Sequence, residues 1–345
     1  MLNRTHGRSR TALALAGAGL LLGLTACSSG MDAPTEGAAG GGTKDGPITI
    51  AYLQKQGDQQ YFVDEAEGAK AAAKELGNVS IKVVNLGVDA NKAISEMDSV
   101  IAQKVDGIII VVPDQQIGPQ VLDAAKTAGI PIMASDDVIK DASGKEAPFA
   151  GFDGTAMGTK VGEEAARLYA ASGWTADNTR ILSAGKLDLS VCTQRMDGAE
   201  AAFAKAVGAD GPQVIKIGTD NSATDAQNKA GATITANAGV KNWVVWGCND
   251  ESSTGVVTAL QNSGVAPADI NGVGLGAYLA CKDWSAGQTT GNKSALYISG
   301  VEVGKAAVKS MVDLLRNGTA LPPASIANTE IVDASNWQEK GVACT

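Results

Sequence analysis

Two adjacent carboxylates, Asp136 and Asp137, close the short apolar run Ile130-Pro131-Ile132-Met133-Ala134-Ser135. An unbroken run of bulky side chains suits a strand covered on both faces. Carboxylates at its C-terminal end would face the crevice in which open α/β sheets bind ligands. Neighbouring side chains on extended backbone point in opposite directions, so at most one of the two is expected to touch a ligand directly. Further polar groups stand at other strand ends. Lys55 and Gln59 follow Thr49–Leu53, Asn249 and Asp250 follow Val244–Trp246, and Arg195 and Asn228 stand early in later helices. Lys, Asp, Asn and Arg can hydrogen-bond hydroxyl groups in several directions at once. Charged partners strengthen such bonds to about 1.5–3 kcal/mol each. Tyr61 and Phe62 could cover the C–H face of a polyhydroxylated ring.

Several chemistries are disfavoured. The single histidine, His6, lies near the amino terminus in a stretch that reads as a cleaved leader. The mature chain would then have no imidazole for a Ser-His-Asp triad or a His-based zinc site. A glycosidase with two carboxylates needs none and stays open. Gly272-Val273-Gly274-Leu275-Gly276 has G-x-G-x-G spacing inside a strand, not the dinucleotide fingerprint, and Ala184-Gly185-Lys186 lacks the first glycine of a phosphate loop. Asp220 to Asp225 has neither the glycine nor the distal glutamate of a calcium loop, so a helix N-cap is expected there. No cofactor and no metal are expected.

The elements that must position these groups recur as one unit: apolar strand, loop, amphipathic helix, glycine. Strands are expected at 49–53, 81–86, 108–112 and 130–135, with helices near 62–76, 94–101 and 121–128. Phe149–Gly154 reads as the first crossing into a second half. There the unit restarts, with helices near 155–171, 194–207, 223–238 and up to Ser263, and strands at 180–184, 214–217, 244–246 and 270–275. Leu296–Ile298 leads to a helix over 301–316, which Asn317-Gly318 and Pro322-Pro323 end. The tail reads as one strand, Ile326–Val332. The fold class is therefore α/β, with two doubly wound domains.

A chain of 345 residues is too long for one core, and 44% hydrophobic with 19% charged residues is ordinary for a globular protein. The net charge is -9; without Arg4, Arg8 and Arg10, 25 basic residues face 37 acidic ones, a balance of -12 that argues against a nucleic-acid partner. Those arginines precede the apolar stretch Thr11–Ala26, too short to span a bilayer comfortably. Leu24-Thr25-Ala26-Cys27-Ser28 resembles a bacterial lipobox, which implies cleavage before Cys27 and its lipidation. Residues 27–46 read as a flexible tether reaching roughly 20–25 Å. Cys192, Cys248, Cys281 and Cys344 remain, an even number in an oxidising compartment with three conceivable pairings. Cys192–Cys248 with Cys281–Cys344 is favoured, because Cys192 and Cys248 would follow neighbouring strands.

Lys55-Gln56…Tyr61-Phe62, Asp136-Asp137, Leu187-Asp188…Arg195-x-x-Gly198, Asn228 and Trp243…Gly247-Cys248-Asn249-Asp250 carry a resemblance. The chain from Gly46 onward is similar to the bacterial periplasmic monosaccharide-binding proteins of the pentose/hexose type, the L-arabinose-binding members above all. The resemblance implies a type I periplasmic binding fold whose chain crosses between domains three times. It assigns 47–150 with 300–322 to the first domain, and 151–299 with 323–345 to the second. Lys55 and Asp137 (or Asp136) would bind sugar hydroxyls from the first domain; Arg195, Asn228 and Asn249 would do so from the second. Tyr61 would stack on the sugar where those relatives have Trp. Gln59 stands where they have Glu, and Gly276 where they present an amide, which leaves the exact sugar open. The function implied is a lipid-anchored, extracytoplasmic, monomeric receptor that hands a monosaccharide to an ABC permease and is not an enzyme. A sugar sensor serving a chemoreceptor or histidine kinase, and a secreted glycosidase, are the rivals.

Overall fold

The computed structural model describes residues 44–344. The expected leader, Cys27 and nearly all of the expected tether lie outside the described residues. Lys44, read as tether, is bonded to the body: its N–H donates to the Leu315 carbonyl (2.8 Å) and its ammonium pairs with Asp106. No helix among the described residues is long and apolar enough to cross a membrane.

In chain order the first sheet collects β1 (Ile48–Gln54), β2 (Val79–Asn85), β3 (Gly107–Ile110), β4 (Ile132–Asp136) and β5 (Phe149–Gly151), with α1 (Gln60–Leu76), α2 (Ala90–Ala102) and α3 (Gly118–Ala128) between them. The second half runs α4 (Gly154–Ser172), β6 (Thr179–Gly185), α5 (Ser190–Val207), β7 (Gln213–Gly218), α6 (Ala223–Ala236), β8 (Asn242–Gly247), α7 (Asp250–Asn262), β9 (Ile270–Gly276), α8 (Ala280–Ser285) and β10 (Asn292–Tyr297). The chain ends with α9 (Gly300–Asn317), β11 (Ala324–Ile326) and β12 (Glu330–Asp333). Two six-stranded sheets result, ordered β11-β5-β4-β3-β1-β2 and β12-β10-β9-β8-β6-β7. The orders are equivalent strand for strand. All pairings are parallel except β12 with β10, so crossover helices cover the sheet faces. This is the doubly wound, two-lobed architecture of type I periplasmic binding proteins. The strands read as continuous apolar runs because both faces are covered: every residue of β3 and of β8 is buried.

The tail departs from expectation. Ile326–Val332 is not one strand. β11 lies parallel to β5 in the first sheet, while β12 lies antiparallel to β10 in the second. Asn328-Thr329 breaks the apolar alternation between them, and the chain changes lobe there. Residues 324–326, placed with the second domain from the resemblance, therefore belong to the first sheet. The lobes are joined at 152–153, 298–299 and 327–329. The short helix α8 was not anticipated; Cys281 in it is bonded to Cys344 (Cα–Cα 5.7 Å) among Trp284, Val332 and Val342.

Each lobe presses one site-bearing helix against a partner helix at backbone-to-backbone distance. A Cβ on Gly158 of α4 would lie 2.1 Å from the Arg195 carbonyl oxygen of α5, and one on Gly304 of α9 would lie 1.9 Å from the Glu65 carbonyl oxygen of α1. Glycine at these positions lets α5 and α1 sit deep enough to present Arg195 and Glu65 beneath the cleft.

Candidate functional site

A cavity of about 510 Å³ lies between the C-terminal ends of the two sheets. Its volume is in the range of small-molecule sites. From the first lobe, Lys55 enters directly after β1, Gln59 and Tyr61 from the start of α1, and Asp136 and Asp137 from the end of β4. From the second, Arg195 enters from α5, Asn221 from the loop after β7, and Asn249, Glu251 and Tyr278 from the ends that follow β8 and β9.

Both carboxylates of the Asp136-Asp137 pair line the cavity, contrary to the alternation expected of extended backbone. Asp136 has φ 57°, and the Asp137 N–H donates to the Ser135 carbonyl at 2.6 Å. This tight turn about a left-handed residue stores strain, and it aims two consecutive side chains the same way. Asp137 makes a buried ion pair with Lys55 (Oδ2 to Nζ, 2.7 Å). Its Oδ1 is buried with no partner among the described residues. Asp136 accepts from the Tyr61 hydroxyl at 3.0 Å. Burial pushes the Asp136 carboxyl above the ordinary carboxylate range and Asp137 pushes the same way, while Arg195 and Lys55 oppose them.

Tyr61 is thus a holder of Asp136. Its ring meets Phe62 edge-on (centroids 5.1 Å, 76°) and lines the cavity. Below it, the Ser135 hydroxyl donates to Glu65 and lies 3.3 Å from the Tyr52 hydroxyl. Burial first, and Asp136 second, push the Glu65 carboxyl up to about 8.

In the second lobe Arg195 is buried and donates from Nη1 to the Cys248 carbonyl at 3.2 Å, while its Nε has no partner among the described residues. Asn249 lines the cavity but is heavily engaged. Its Oδ1 caps α7 by accepting from Ser252 N–H (3.1 Å), and its Nδ2 donates to the Asn221 carbonyl (2.9 Å) and to Glu251 (2.7 Å). Glu251 also accepts from Tyr278 (2.8 Å) and, across the cleft, from Gln59 Nε2 (2.6 Å). Burial raises its pKa. A second bridge joins Ser190 of α5 to Gln115 of the first lobe. The lobes therefore touch around the cavity.

Two expected site residues are not in it. Asn228 is exposed on α6, because Ala226, Ala230 and Ile234 form that helix's buried face and position 228 lies about 200° round from 226. Asp250 is wholly buried and does not line the cavity. Its Oδ2 accepts the Leu279 N–H at 2.6 Å, and burial lifts its carboxyl to about 7. Asn221, Glu251 and Tyr278 were missed. Asn221 has φ 71°, a conformation asparagine tolerates better than most residues, and it sits in the Asp220-Asn221-Ser222 run that was read only as a cap. Tyr278 accounts for Gly276: at φ 135° a Cβ there would meet the Tyr278 ring at 2.5 Å. The ring occupies the space into which a side chain at 276 would point.

The described cysteines form two bonds. Cys192 and Cys248 are joined with Cα atoms 4.8 Å apart, and both line the cavity.

Residues 50–319 match the periplasmic binding protein domain family. An ABC transporter L-arabinose-binding periplasmic protein of Azospirillum brasilense is 28% identical over 312 residues, 88% of this chain and 91% of that one. A xylitol-binding protein of Mycolicibacterium smegmatis is 30% identical over 324 residues, 91% of this chain and 78% of that one. The crystal structure of an ABC transporter periplasmic solute binding protein from Actinobacillus succinogenes, with bound D-allose, superposes with a TM-score of 0.73 at 24% identity, covering 85% of this chain and 99% of that one.

Proposed function

The chain belongs to the periplasmic binding protein family, and from that premise we propose that it captures a monosaccharide between its two lobes. The sugar is a pentose or hexose of L-arabinose type. On this reading the protein works outside the cytoplasm, is held to the membrane through lipid on Cys27, and delivers the sugar to an ABC permease. The observation that carries the reading is that a carboxylate and a guanidinium, Asp137 and Arg195, line one cavity from opposite lobes, and each keeps a buried atom, Oδ1 and Nε, without a partner among the described residues. A sugar hydroxyl donates and accepts at once, so a ring bearing several of them can satisfy both. Ionised partners replace the water that each hydroxyl gives up on entry, which an apolar pocket could not do.

Capture requires closure. The sugar would bind one lobe of an open form and add contacts to the second only on closing about the three crossovers. The Gln59–Glu251 bond already bridges the lobes and would support such a closure. The ligands of the two relatives, L-arabinose and xylitol, support a small polyhydroxylated solute and leave its identity to measurement.

Calorimetric titration of the purified protein with L-arabinose, D-xylose, D-galactose, D-fucose, D-ribose, D-glucose and xylitol tests the reading. Saturable one-to-one binding of one or two of these is expected. No heat from any of them, with the protein shown to be folded, would sink the monosaccharide assignment.

A further inference from the structure

We propose that the Cys192–Cys248 disulfide is a positioning element of the binding cavity, holding Arg195, Asn221 and Asn249 as one preset wall. The proposal rests on the sugar-binding reading given above. Cys192 lies three residues before Arg195, and residues at that spacing share one face of a helix. Cys248 immediately precedes Asn249, and its carbonyl accepts from Arg195. Asn221 donates from Nδ2 to Cys192 Sγ (3.3 Å) and accepts the Lys186 N–H on Oδ1 (2.8 Å), while its own carbonyl accepts from Asn249. Three segments, the start of α5 and the loops after β7 and β8, therefore converge on one pair of buried sulfurs in the cavity wall.

The second disulfide is an internal control. Cys281 and Cys344 do not line the cavity and pack with Trp284 and Val342. The bonds span similar sequence separations, 56 and 63 residues. Their effects on the unfolded chain should therefore be nearly equal, since that term grows only with the logarithm of loop length. A difference in ligand affinity between their removals would come from the folded site. Preorganised donors and acceptors bind more tightly because less ordering remains to be done on binding.

The experiment compares C192A/C248A with C281A/C344A. Hydrogen exchange of the ligand-free proteins is expected to quicken over 186–196 and 246–252 in C192A/C248A only. Affinity for the sugar that the unaltered protein binds is expected to fall about tenfold in C192A/C248A and to stay within about twofold in C281A/C344A. Arg195→Lys should cost at least about threefold less in the C192A/C248A background than in the unaltered one, whereas a first-lobe change, Lys55→Met, should cost the same in both. A bond that served stability alone would lower Tm but leave affinity and the Arg195 coupling unchanged. That result, or unaltered exchange in both segments, overturns the proposal. Absence of sugar binding by the unaltered protein would instead sink the proposed function, and the exchange measurement would still decide whether this bond fixes the wall. If C192A/C248A does not fold, the same comparison is made on folded C281A/C344A treated with a water-soluble phosphine. The phosphine supplies two electrons and takes up the oxygen of one water, and the two protons end on the sulfurs of Cys192 and Cys248.

Discussion

The two lobes share a sheet order and a glycine-mediated helix pair, yet they furnish the cavity by different means. The first lobe offers charge at a bent strand end. Asp136 turns the chain at φ 57°, Asp137 keeps one oxygen without a partner beyond its bond to Lys55, and Glu65 lies beneath them with its carboxyl pushed above the ordinary range by burial. The second lobe offers groups already committed to the scaffold. Asn249 caps α7, Asn221 leans on Cys192, and Glu251 gathers Tyr278 and Asn249. Of the second-lobe residues that line the cavity, only Arg195 keeps a buried side-chain donor without a partner among the described residues. Under the proposed function, the first lobe supplies most of the binding energy and the second presents a stiff face that completes the site on closure.

The largest test of this contrast is Asp137→Ala. It removes the free acceptor and leaves the Lys55 ammonium buried and alone. Breaking a buried pair from one side costs roughly 3–5 kcal/mol. Sugar affinity should fall at least about a hundredfold by calorimetry, and Asn249→Ala should fall much less. An equal loss from both would end the assignment of binding energy to the first lobe.

Next comes the pH dependence, because each lobe holds an acid raised to near neutrality or beyond. Glu65 is raised from 4.5 to about 8, and Asp250 from 3.8 to about 7. Between those limits the folded protein keeps a proton that the unfolded chain releases. Stability must therefore fall as pH rises through each window, by up to about 1.4 kcal/mol per unit and group. Glu65→Gln should flatten the fall between about 4.5 and 8, leaving the part between about 4 and 7 that Asp250→Asn removes. Urea midpoints measured across that range decide it; a fall unchanged by Glu65→Gln would mean that Glu65 is ionised in its pocket.

What was legible in the chain follows the same division. Charged groups such as Lys55 and Asp137 at strand ends, and Arg195 near the start of α5, have few reasons to stand beside buried apolar runs except a cleft, so their types exposed them. Amides have more uses. Asn249, Asn221 and Asn228 are chemically alike, and only their neighbours decide which caps a helix, which leans on a disulfide and which faces water. Tyr278 was hidden because its role depends on what Gly276 lacks. The covered, parallel sheets could be read because continuous apolar runs imply strands buried on both faces. The split tail was not: β11 and β12 are three and four residues long, and no period shows in so few.

The smaller effects sharpen the comparison at the seam between the lobes. Gln59→Ala deletes a bond that touches both lobes but neither Asp137 nor Arg195 directly. A hydrogen bond to a buried carboxylate contributes about 1.5 kcal/mol at the low end, so affinity should drop about tenfold. Small-angle scattering of the liganded protein should shift toward the open form. Loss of affinity without that shift would make Gln59 a ligand contact and not a bridge. Asn228→Ala should do least of all. Its side chain is exposed on the outer face of α6, so affinity is expected within about twofold of the unaltered protein and stability within about 0.5 kcal/mol. Asn221→Ala, seven residues earlier and in the wall, should weaken binding several-fold in the same assay. If the two were reversed, α6 would have to rotate on ligand binding by about half a turn. That motion would expose Ala226, Ala230 and Ile234 to water, at roughly 25 cal/mol per Å² of apolar surface, with nothing in the cavity to offset it.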